Sequence, residues 1–587
     1  MSSGAFAYSF GPIAAGAGRT RFRLWAPAQT SVSLLLEGTQ PLPMSPRDGW
    51  FEAEAVCGPG TRYVFRLRDG TVVPDPASRR QAQDVHGWSV VTQPDGYPWK
   101  TSGWRGRPWP EAVIYELHAG LLGGYRGVAA ELARLADLGI TAIELMPVAE
   151  FPGARNWGYD GVLPFAPESS YGTPDDLKAL IDAAHGHGMM VFLDVVYNHF
   201  GPDGNYLPLC APPMFRSDVS TPWGPAIDFR QPEVRRFFLE NALYWIMEFR
   251  FDGLRFDAVH AITESDWLDD MAREVRATIE PGRHVHLILE NDHNAASHLA
   301  GDFDAQWNDD GHHVLHVLLT GEREGYYADY ADRPAERLAR CLAEGFVYQG
   351  EPSSYRDGKP RGTPSAYLPP TAFVLFLQNH DQIGNRAFGE RLTMLAEPAA
   401  LEAAIALQLL CPQVPLLFMG EEDASRSPFL FFTDHNEELA KAVREGRRRE
   451  FAGFGGFSDA QRLAAIPDPN DLATFERSKP VADPEQGAAR AQLYRRLLAI
   501  RRSEIVPRMM GCRALAAHAC GPAAVVARWR MGDGTQLVLL SNLAAEPADG
   551  SPQAGRVLYA GSPEAERAAR AGRLTPYSTV AFLESAS

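Results

Sequence analysis

The chain has 587 residues, of which 45% are hydrophobic and 22% are charged, and this ordinary globular composition excludes a disordered, collagen-like or coiled-coil protein. Its 56 basic and 73 acidic residues give a formal net charge of −17, which repels phosphate backbones and anionic lipid. We therefore expect neither nucleic acid nor a membrane as a partner. The length predicts more than one domain, one of which could be a large α/β unit.

The cysteine and histidine spacings predict no bound metal, and we also expect no cofactor. The six cysteines form no CxxC pair, so they indicate neither a disulfide framework nor a zinc site. His312 and His316 are four residues apart, but no third ligand follows at a zinc spacing. We identify no targeting segment and no run of the ~18 apolar residues that a membrane helix needs. Together these features favour the cytoplasm.

The first part of the chain, residues 1–104, is predicted to be a small β-sandwich. Three short strand-like runs, residues 22–25, 32–36 and 63–67, are separated by turns, which is typical of antiparallel sheets. A stretch rich in proline, glycine and tryptophan, residues 94–110, then leads into a different pattern.

From residue 105 to 505, apolar strands alternate with amphipathic helices. One such helix places Val128, Leu132 and Leu135 on one face, and Thr173 followed by Pro174 is typical of the start of another. This alternation indicates parallel strands covered by helices, and eight strands match a closed (β/α)8 TIM barrel. The eight predicted strands are residues 113–117, 141–145, 191–195, 252–256, 285–289, 303–307, 373–377 and 415–419.

Strand-like runs return after the barrel. They cover residues 524–530, 536–540, 556–559 and 578–582, and they predict a C-terminal all-β domain over residues 506–587.

Polar residues follow the predicted barrel strands at the end where such barrels place their active sites. Carboxyl and imidazole groups should therefore converge on one mouth. The polar residues are His199 after the third strand, Asp257 after the fourth, Glu290 after the fifth, Asn308, Asp309 and Asp310 after the sixth, and His380 and Asp381 after the seventh.

The chemistry of three of these acids suggests glycoside cleavage. Arg255 and Asp257 share a strand face, and the cation should keep Asp257 ionised, as a nucleophile requires. Glu290 follows an apolar run and should stay neutral, as a proton donor requires. Glycosidases use two carboxyl groups in these opposite states, and Asp381 could stabilise the positively charged transition state.

Each of these acids could instead have a purely structural role. A single acid at a strand end is more often a helix cap or an ion-pair partner, by about three to one. Three acids on different strands, with His199 and His380 beside them, reverse those odds.

At these residues the chain resembles the α-amylase superfamily. The matching regions are residues 194–199, residues 253–260, Glu290 and residues 379–381. The resemblance implies a retaining enzyme whose nucleophile is Asp257 and whose acid/base is Glu290, with their carboxyl groups ~5 to 5.5 Å apart, and it makes Asp381 the transition-state stabiliser. It also implies that the cleaved sugar is bound by Tyr159, His199, Arg255 and His380.

Within the superfamily, residues 307–313, 378–386 and 431–435 are similar to the maltooligosyltrehalose trehalohydrolase family. This similarity implies hydrolysis of the α-1,4 bond next to a terminal α,α-trehalose, with maltooligosyltrehalose as substrate. A glucan branching enzyme and an inactive glucan-binding protein remain as alternatives. Trp157 and Tyr159 are predicted to stack on sugar rings, Asn385 lies in one of the motifs, and the leaving-group side is predicted to include His260, Asn308, Asp309, Asp310 and His313.

Overall fold

The computed structural model describes residues 6–221, 224–452 and 460–585. Eight parallel strands close into a barrel in sequential order, so the predicted TIM barrel is confirmed and every predicted strand overlaps one of its members. We number them β1 to β8. They are Ile114–Leu117, Ala142–Leu145, Met190–Val195, Gly253–Phe256, His286–Leu289, Ala305–Trp307, Phe373–Leu375 and Val414–Phe418.

Helices cover the outside of the barrel and begin and end where the sequence indicates. Gly139 ends the first helix with a φ of 109°, a left-handed conformation that glycine adopts easily. Thr173 and Asp176 form the predicted capping box of the second. The longer helices are Gly124–Leu138, Pro174–Gly186, Pro232–Leu243, Ser265–Thr278, Asp309–Thr320, Pro334–Glu344, Pro398–Leu410, Glu437–Ala452 and Gly487–Ile500.

Two antiparallel sheets form the predicted N-terminal sandwich. The Glu240 carboxylate, on a barrel helix, accepts hydrogen bonds from the backbone N–H groups of Ser9 and Phe10, which ties the start of the described chain to the barrel. In sheet order the strands are Ile13–Gly16, Arg19–Trp25, Trp50–Val56 and Ser45–Arg47, and then Leu42–Pro43, Val32–Leu36, Arg62–Leu67 and Val72–Val73, with Ser89–Val90 beside Arg62–Leu67.

The C-terminal β region is also present, with one helix, Pro563–Arg570, on its sheet. Its first strand, Arg513–Gly521, was not predicted, because its alanine-rich sequence has low β propensity. The domain limits at residues 104 and 505 stay predictions. Among the described residues, no helix combines the length and the apolar character needed to cross a bilayer. In sheet order the five main strands are Arg513–Gly521, Ala524–Arg530, Gln536–Asn542, Ser578–Glu584 and Arg556–Ala560.

The barrel interior changes from apolar to charged along the strands. Ile114 and Phe192 belong to an apolar cluster in its lower part. Two residues further along the same strands, and therefore on the same face, stand Glu116 and Asp194, both buried. The register pairs Asp194 with Arg255 of β4, so a layer of buried charge lies directly under the mouth.

Candidate active site

Arg255 lies at the centre of the mouth and is fully buried. Its Nη1 donates to Asp194 Oδ2 at 2.6 Å and to Asp257 Oδ1 at 3.0 Å, and its Nη2 donates to Glu290 Oε2 at 2.9 Å. The guanidinium carbon lies 4.1 Å from the centre of the Trp307 ring system. One rigid, planar cation therefore positions both predicted reacting carboxyl groups.

Asp257 follows β4 directly, and its second oxygen is also held. Asn198 donates from Nδ2 to Asp257 Oδ2 at 2.7 Å and to the Asp257 carbonyl at 2.9 Å. The next residue, Ala258, has a φ of 40°, a left-handed conformation that is uncommon for alanine. This turn directs the Ala258 N–H to Glu290 Oε2, at 2.7 Å.

The surroundings of Glu290 are more polar than the sequence indicated. We expected apolar neighbours, but Oε2 accepts two hydrogen bonds, from Arg255 and from the Ala258 backbone. Strand β5 supplies the apolar residues 287–289, but Glu290 lies past the strand end, where the turn after β4 approaches it. Within the described ranges Oε1 has no hydrogen-bond partner, and 17% of the side chain is exposed.

Asp381 is the most exposed of the three acids, with 37% of its side chain accessible. It stands in the first turn of the short helix His380–Gly384, which Asn379 caps. Its Oδ1 lies 3.5 Å from His380 Nε2 and accepts from Asn385 Nδ2 at 3.3 Å. Asp381 and Asn385 therefore lie together at the rim of the cleft.

Tyr159, His199 and His380 also meet here. The Tyr159 hydroxyl donates to Asp194 Oδ2 at 2.6 Å and lies 2.9 Å from His380 Nε2, and the two rings stack with centres 5.2 Å apart. His199 Nε2 lies 3.0 Å from the Tyr159 carbonyl oxygen. Burial lowers the pKa of His199, which favours the neutral ring.

Three predicted leaving-group residues border the open part of the mouth. His260 is partly exposed, and its Nδ1 accepts from the Asp292 N–H at 3.3 Å. Burial, with the negative charge of Glu290 next, raises the pKa of Asp309 to about 8, so this carboxyl is neutral at pH 7. His313 is half-buried beside Tyr326 and Tyr330, at ring distances of 4.7 and 4.9 Å.

Asn308 and Asp310 were predicted to contact sugar, but the structure buries both against other parts of the protein. Both are 0% exposed. Asn308 Nδ2 donates to the Gly345 carbonyl at 3.0 Å. Asp310 accepts from Arg361 Nη1 and from the Val347 N–H, both at 2.7 Å. These side chains stabilise the segment after helix Pro334–Glu344, because hydrogen bonding to protein compensates for their burial.

Trp157, which was predicted to stack on sugar, is also buried. The side chain is 4% exposed, its ring stacks on Phe429 at 5.2 Å, and Nε1 donates to the Leu430 carbonyl at 3.0 Å. It meets His380 edge-on at 5.6 Å. No ring face is left for a sugar, so Trp157 supports the position of His380 from below.

Replacing Trp157 by alanine should therefore mainly lower the stability of the fold. Any effect on substrate binding should be secondary. We expect the free energy of unfolding to fall by about 3–5 kcal/mol, the range for a buried tryptophan truncated to alanine. Urea unfolding followed by circular dichroism measures it. An unchanged midpoint of urea unfolding together with a large rise in KM would instead support stacking of Trp157 on a sugar.

The sequence indicated no role for three residues of the site, nor for Glu144, which is buried in the barrel interior and is not part of the site. Asn198 lies inside a quoted motif, but its contact with Asp257 is not readable from spacing. Glu116 and Glu144 are acids within otherwise apolar strands, a signal that could have marked them. Tyr326 lies in the 3-10 helix Gly325–Tyr330, where no sequence pattern distinguishes it.

A cavity of about 730 Å³ lies next to the helix that carries Asp381, although none of the three acids lines it. Asn385, which bonds Asp381, lies in its wall. Tyr326 and Tyr355 also line it, with ring centres 6.2 Å apart, and aromatic faces with nearby polar groups suit sugar rings. The cavity is therefore a candidate site for sugar units beyond the cleaved bond.

Comparisons with known proteins bear on this site. The family model described as alpha amylase, catalytic domain, matches residues 82–208, and a domain of unknown function (DUF3459) matches residues 512–581. A malto-oligosyltrehalose trehalohydrolase of Deinococcus radiodurans is 43% identical over 507 residues, which cover 84% of this chain and 83% of that protein. A 1,4-alpha-glucan branching enzyme of Mycobacterium bovis is 37% identical over 283 residues, which cover 42% of this chain and 37% of that enzyme.

A crystal structure of a Salmonella typhimurium protein assigned to the alpha amylases superposes with a TM-score of 0.92 at 45% identity, covering 99% of this chain and 100% of that one. Fold, site and family match agree on one class, the glycoside hydrolases of alpha-amylase type. The similarity to the Deinococcus protein covers 84% of this chain and identifies one family within this class. The chain belongs to the malto-oligosyltrehalose trehalohydrolase family.

Proposed function

We propose that the protein hydrolyses the α-1,4-glucosidic bond next to the terminal α,α-trehalose of maltooligosyltrehalose and releases trehalose and a maltooligosaccharide. The observation that supports this most is that Arg255 holds Asp257 and Glu290 through adjacent guanidinium nitrogens, because a retaining glycosidase needs its two carboxyl groups close together. The malto-oligosyltrehalose trehalohydrolase name of the Deinococcus relative supports the choice of substrate.

In the first proposed step, an Asp257 carboxylate oxygen attacks the anomeric carbon. The bond to the leaving oxygen breaks, and that oxygen takes the proton of Glu290. Because both donors to Glu290 bind Oε2, this proton belongs on Oε1. Glu290 then removes a proton from water, which attacks the glycosyl-enzyme ester and frees Asp257. Asp381 stabilises the positive charge that develops in both steps.

Tyr159, His199, Arg255 and His380 are proposed to surround the cleaved sugar. His260, Asp309 and His313 remain proposed contacts of the leaving group, and Asn385 is a proposed contact at the rim. The proposed enzyme needs no cofactor, since attack and proton transfer use only carboxyl groups and water.

A branching enzyme is the second candidate, because the Mycobacterium bovis branching enzyme also matches part of the chain. One product assay separates the two. Incubation with maltooligosyltrehalose should release trehalose, detected by chromatography, and incubation with amylose should leave the number of α-1,6 branches unchanged. New branches without trehalose would establish the transferase, and the absence of both products would favour a glucan-binding protein.

Tyr355 gives a test of the proposed sugar cavity. The side chain is 58% exposed, and we expect Tyr355→Ala to raise KM for maltooligosyltrehalose about 5-fold with kcat unchanged, since one stacked sugar contact contributes ~1 kcal/mol. Tyr367→Ala is a matched control, because Tyr367 is 57% exposed but does not line the cavity. Steady-state kinetics of both variants test this prediction. Equal KM values for the two variants would mean that the substrate does not contact the cavity.

The proposed product places the protein in trehalose biosynthesis. We propose a cytoplasmic location, which is supported by the six cysteines being free thiols, the state expected in a reducing compartment.

A further inference from the structure

Glu116, on β1, contacts the site from below and has no part in the reaction as described so far. Its Oε1 lies 2.5 Å from His380 Nδ1, and its Oε2 accepts the His380 backbone N–H at 3.1 Å. Both side chains are 1% exposed. A buried carboxyl group with two bonds to one histidine fixes the orientation of that ring.

The hydrogen bonds on the other side of the ring define where its protons are. Asp194 Oδ2 accepts from Arg255 Nη1 and is therefore an acceptor for the Tyr159 hydroxyl as well. That hydroxyl has one hydrogen, so at 2.9 Å it can only accept from His380 Nε2. Nε2 therefore carries a hydrogen. Since Nδ1 faces the Glu116 carboxylate, it carries one too, and a ring protonated at both nitrogens is an imidazolium.

We propose that Glu116 is a positioning residue of the reaction that keeps His380 as an imidazolium, so that Nε2, which lies between the Tyr159 hydroxyl and Asp381 Oδ1, is a hydrogen-bond donor. A neutral ring with its single proton directed at Glu116 would present an acceptor there instead. The inference rests on the proposed glycosidase function.

The titration of His380 agrees with this geometry. Burial lowers its pKa, but the Glu116 carboxylate, followed by Asp381, raises the pKa to about 9 overall. A histidine whose pKa is raised is charged at lower pH, and it loses that charge as the pH rises through the raised value. The donor function should therefore be complete at pH 7 and lost near pH 9.

Other ionisable groups lie near His380, and their titration has to be distinguished from the effect of Glu116. Burial raises the pKa of Asp194 to about 7, so Asp194 titrates before His380 as the pH rises. Burial lowers the pKa of His118 to about 4, so His118 is neutral throughout. The charged or ionisable groups around the ring are Glu116 and His118 at β1, Glu144 on β2, Tyr159, Asp194 on β3, Arg255 on β4, and Asp381.

Glu144 provides a matched control for Glu116. The two residues are register partners on β2 and β1, and both are 1% exposed. Neither carboxyl oxygen of Glu144 has a hydrogen-bond partner in the described part of the chain. Burial, together with the Glu116 and Asp194 charges, raises its pKa well above the usual value. Glu144 is therefore neutral, and glutamine reproduces both its shape and its charge.

The test compares Glu116→Gln with Glu144→Gln across pH. The substrate is α-maltosyl fluoride, which needs no protonation of its leaving group. Glu116→Gln should shift the alkaline limb of kcat/KM downward by about 2 pH units, toward or below the ordinary histidine pKa, and lower kcat/KM at pH 8 about tenfold. Glu144→Gln should leave the profile within about twofold of the wild type.

Two further measurements keep the test decisive. Glu116→Asp retains the charge, so it should keep the alkaline limb near the wild-type position even if the rate falls. Nitrogen-15 NMR of histidine-labelled protein at pH 7.5, with His380 assigned from His380→Gln, should show both ring nitrogens protonated in the wild type and only one in Glu116→Gln.

Equal pH profiles for the wild type and Glu116→Gln, an equal shift in both glutamine variants, or a neutral His380 in the wild type would overturn the inference. A wild-type protein that cleaves neither the fluoride nor maltooligosyltrehalose would instead refute the proposed function. The NMR measurement would still decide the state of His380 in that case.

Discussion

Replacing Asp257 by asparagine should lower kcat/KM at least about 10⁴-fold for every glycosyl substrate, because it removes the nucleophile itself. Asparagine has the shape of aspartate, and its one carbonyl oxygen can still accept from Arg255 Nη1, which donates to Asp257 Oδ1. The NH2 group loses the bond from Asn198, but this is a single contact at the mouth and the fold should persist. An activated leaving group should not help, since the missing step is formation of the bond to the anomeric carbon. The measurement is initial-rate kinetics with maltooligosyltrehalose and with α-maltosyl fluoride.

Asp252→Asn is the matched control for this variant. Asp252 precedes the same strand at the opposite end of the barrel, where it is 0% exposed and accepts from Trp104 Nε1 at 2.7 Å. We expect Asp252→Asn to lower the midpoint of thermal unfolding without changing the rate per folded molecule. If Asp257→Asn kept more than about one tenth of the wild-type rate, Asp257 would not be the nucleophile.

Replacing Glu290 by glutamine should have the second-largest effect, and the size of the loss should depend on the leaving group. With maltooligosyltrehalose, whose leaving oxygen needs a proton, we expect kcat/KM to fall about 10³- to 10⁴-fold. With α-maltosyl fluoride, formation of the glycosyl-enzyme needs no acid, so the loss in that step should be much smaller. Pre-steady-state release of fluoride measures it.

The second step gives an independent check on Glu290. Azide needs no general base, so it should restore turnover of Glu290→Gln with the fluoride substrate and form an α-glycosyl azide, because two inversions retain the configuration. Equal losses on both substrates, with no azide product, would mean that Glu290 serves mainly to position Arg255 and the Ala258 turn.

Later segments of the chain bury three side chains that were predicted to contact sugar. Asn308, Asp310 and Trp157 all stand at the correct end of the barrel, as their order after the strands indicated. Whether they face the cleft or the protein depends on later segments, because residues near 345–361 and 429–430 cover them. A residue's position after a strand predicts the end of the barrel, but it contains no information on what packs over it.

The polar surroundings of Glu290 and the role of Glu116 have a different cause. Glu290 contacts Arg255 and the Ala258 turn because β4 and β5 are neighbours in the closed sheet. Glu116 and His380 are 264 positions apart in the chain, and they meet only because a barrel brings β1 and the end of β7 to the same mouth. Such contacts form only because the barrel closes, and no local sequence pattern predicts them.

The amino-acid sequence by itself determined the eight alternating strands and helices, the helix ends at Gly139 and Thr173, and the order of the acids along the strand ends. These features are local, since periodicity, capping and glycine conformation depend on neighbours within a few residues. Tertiary structure decided which side chains are reachable by sugar and which charges share Arg255 and His380. Burial and pairing depend on distant segments that come together only when the barrel closes.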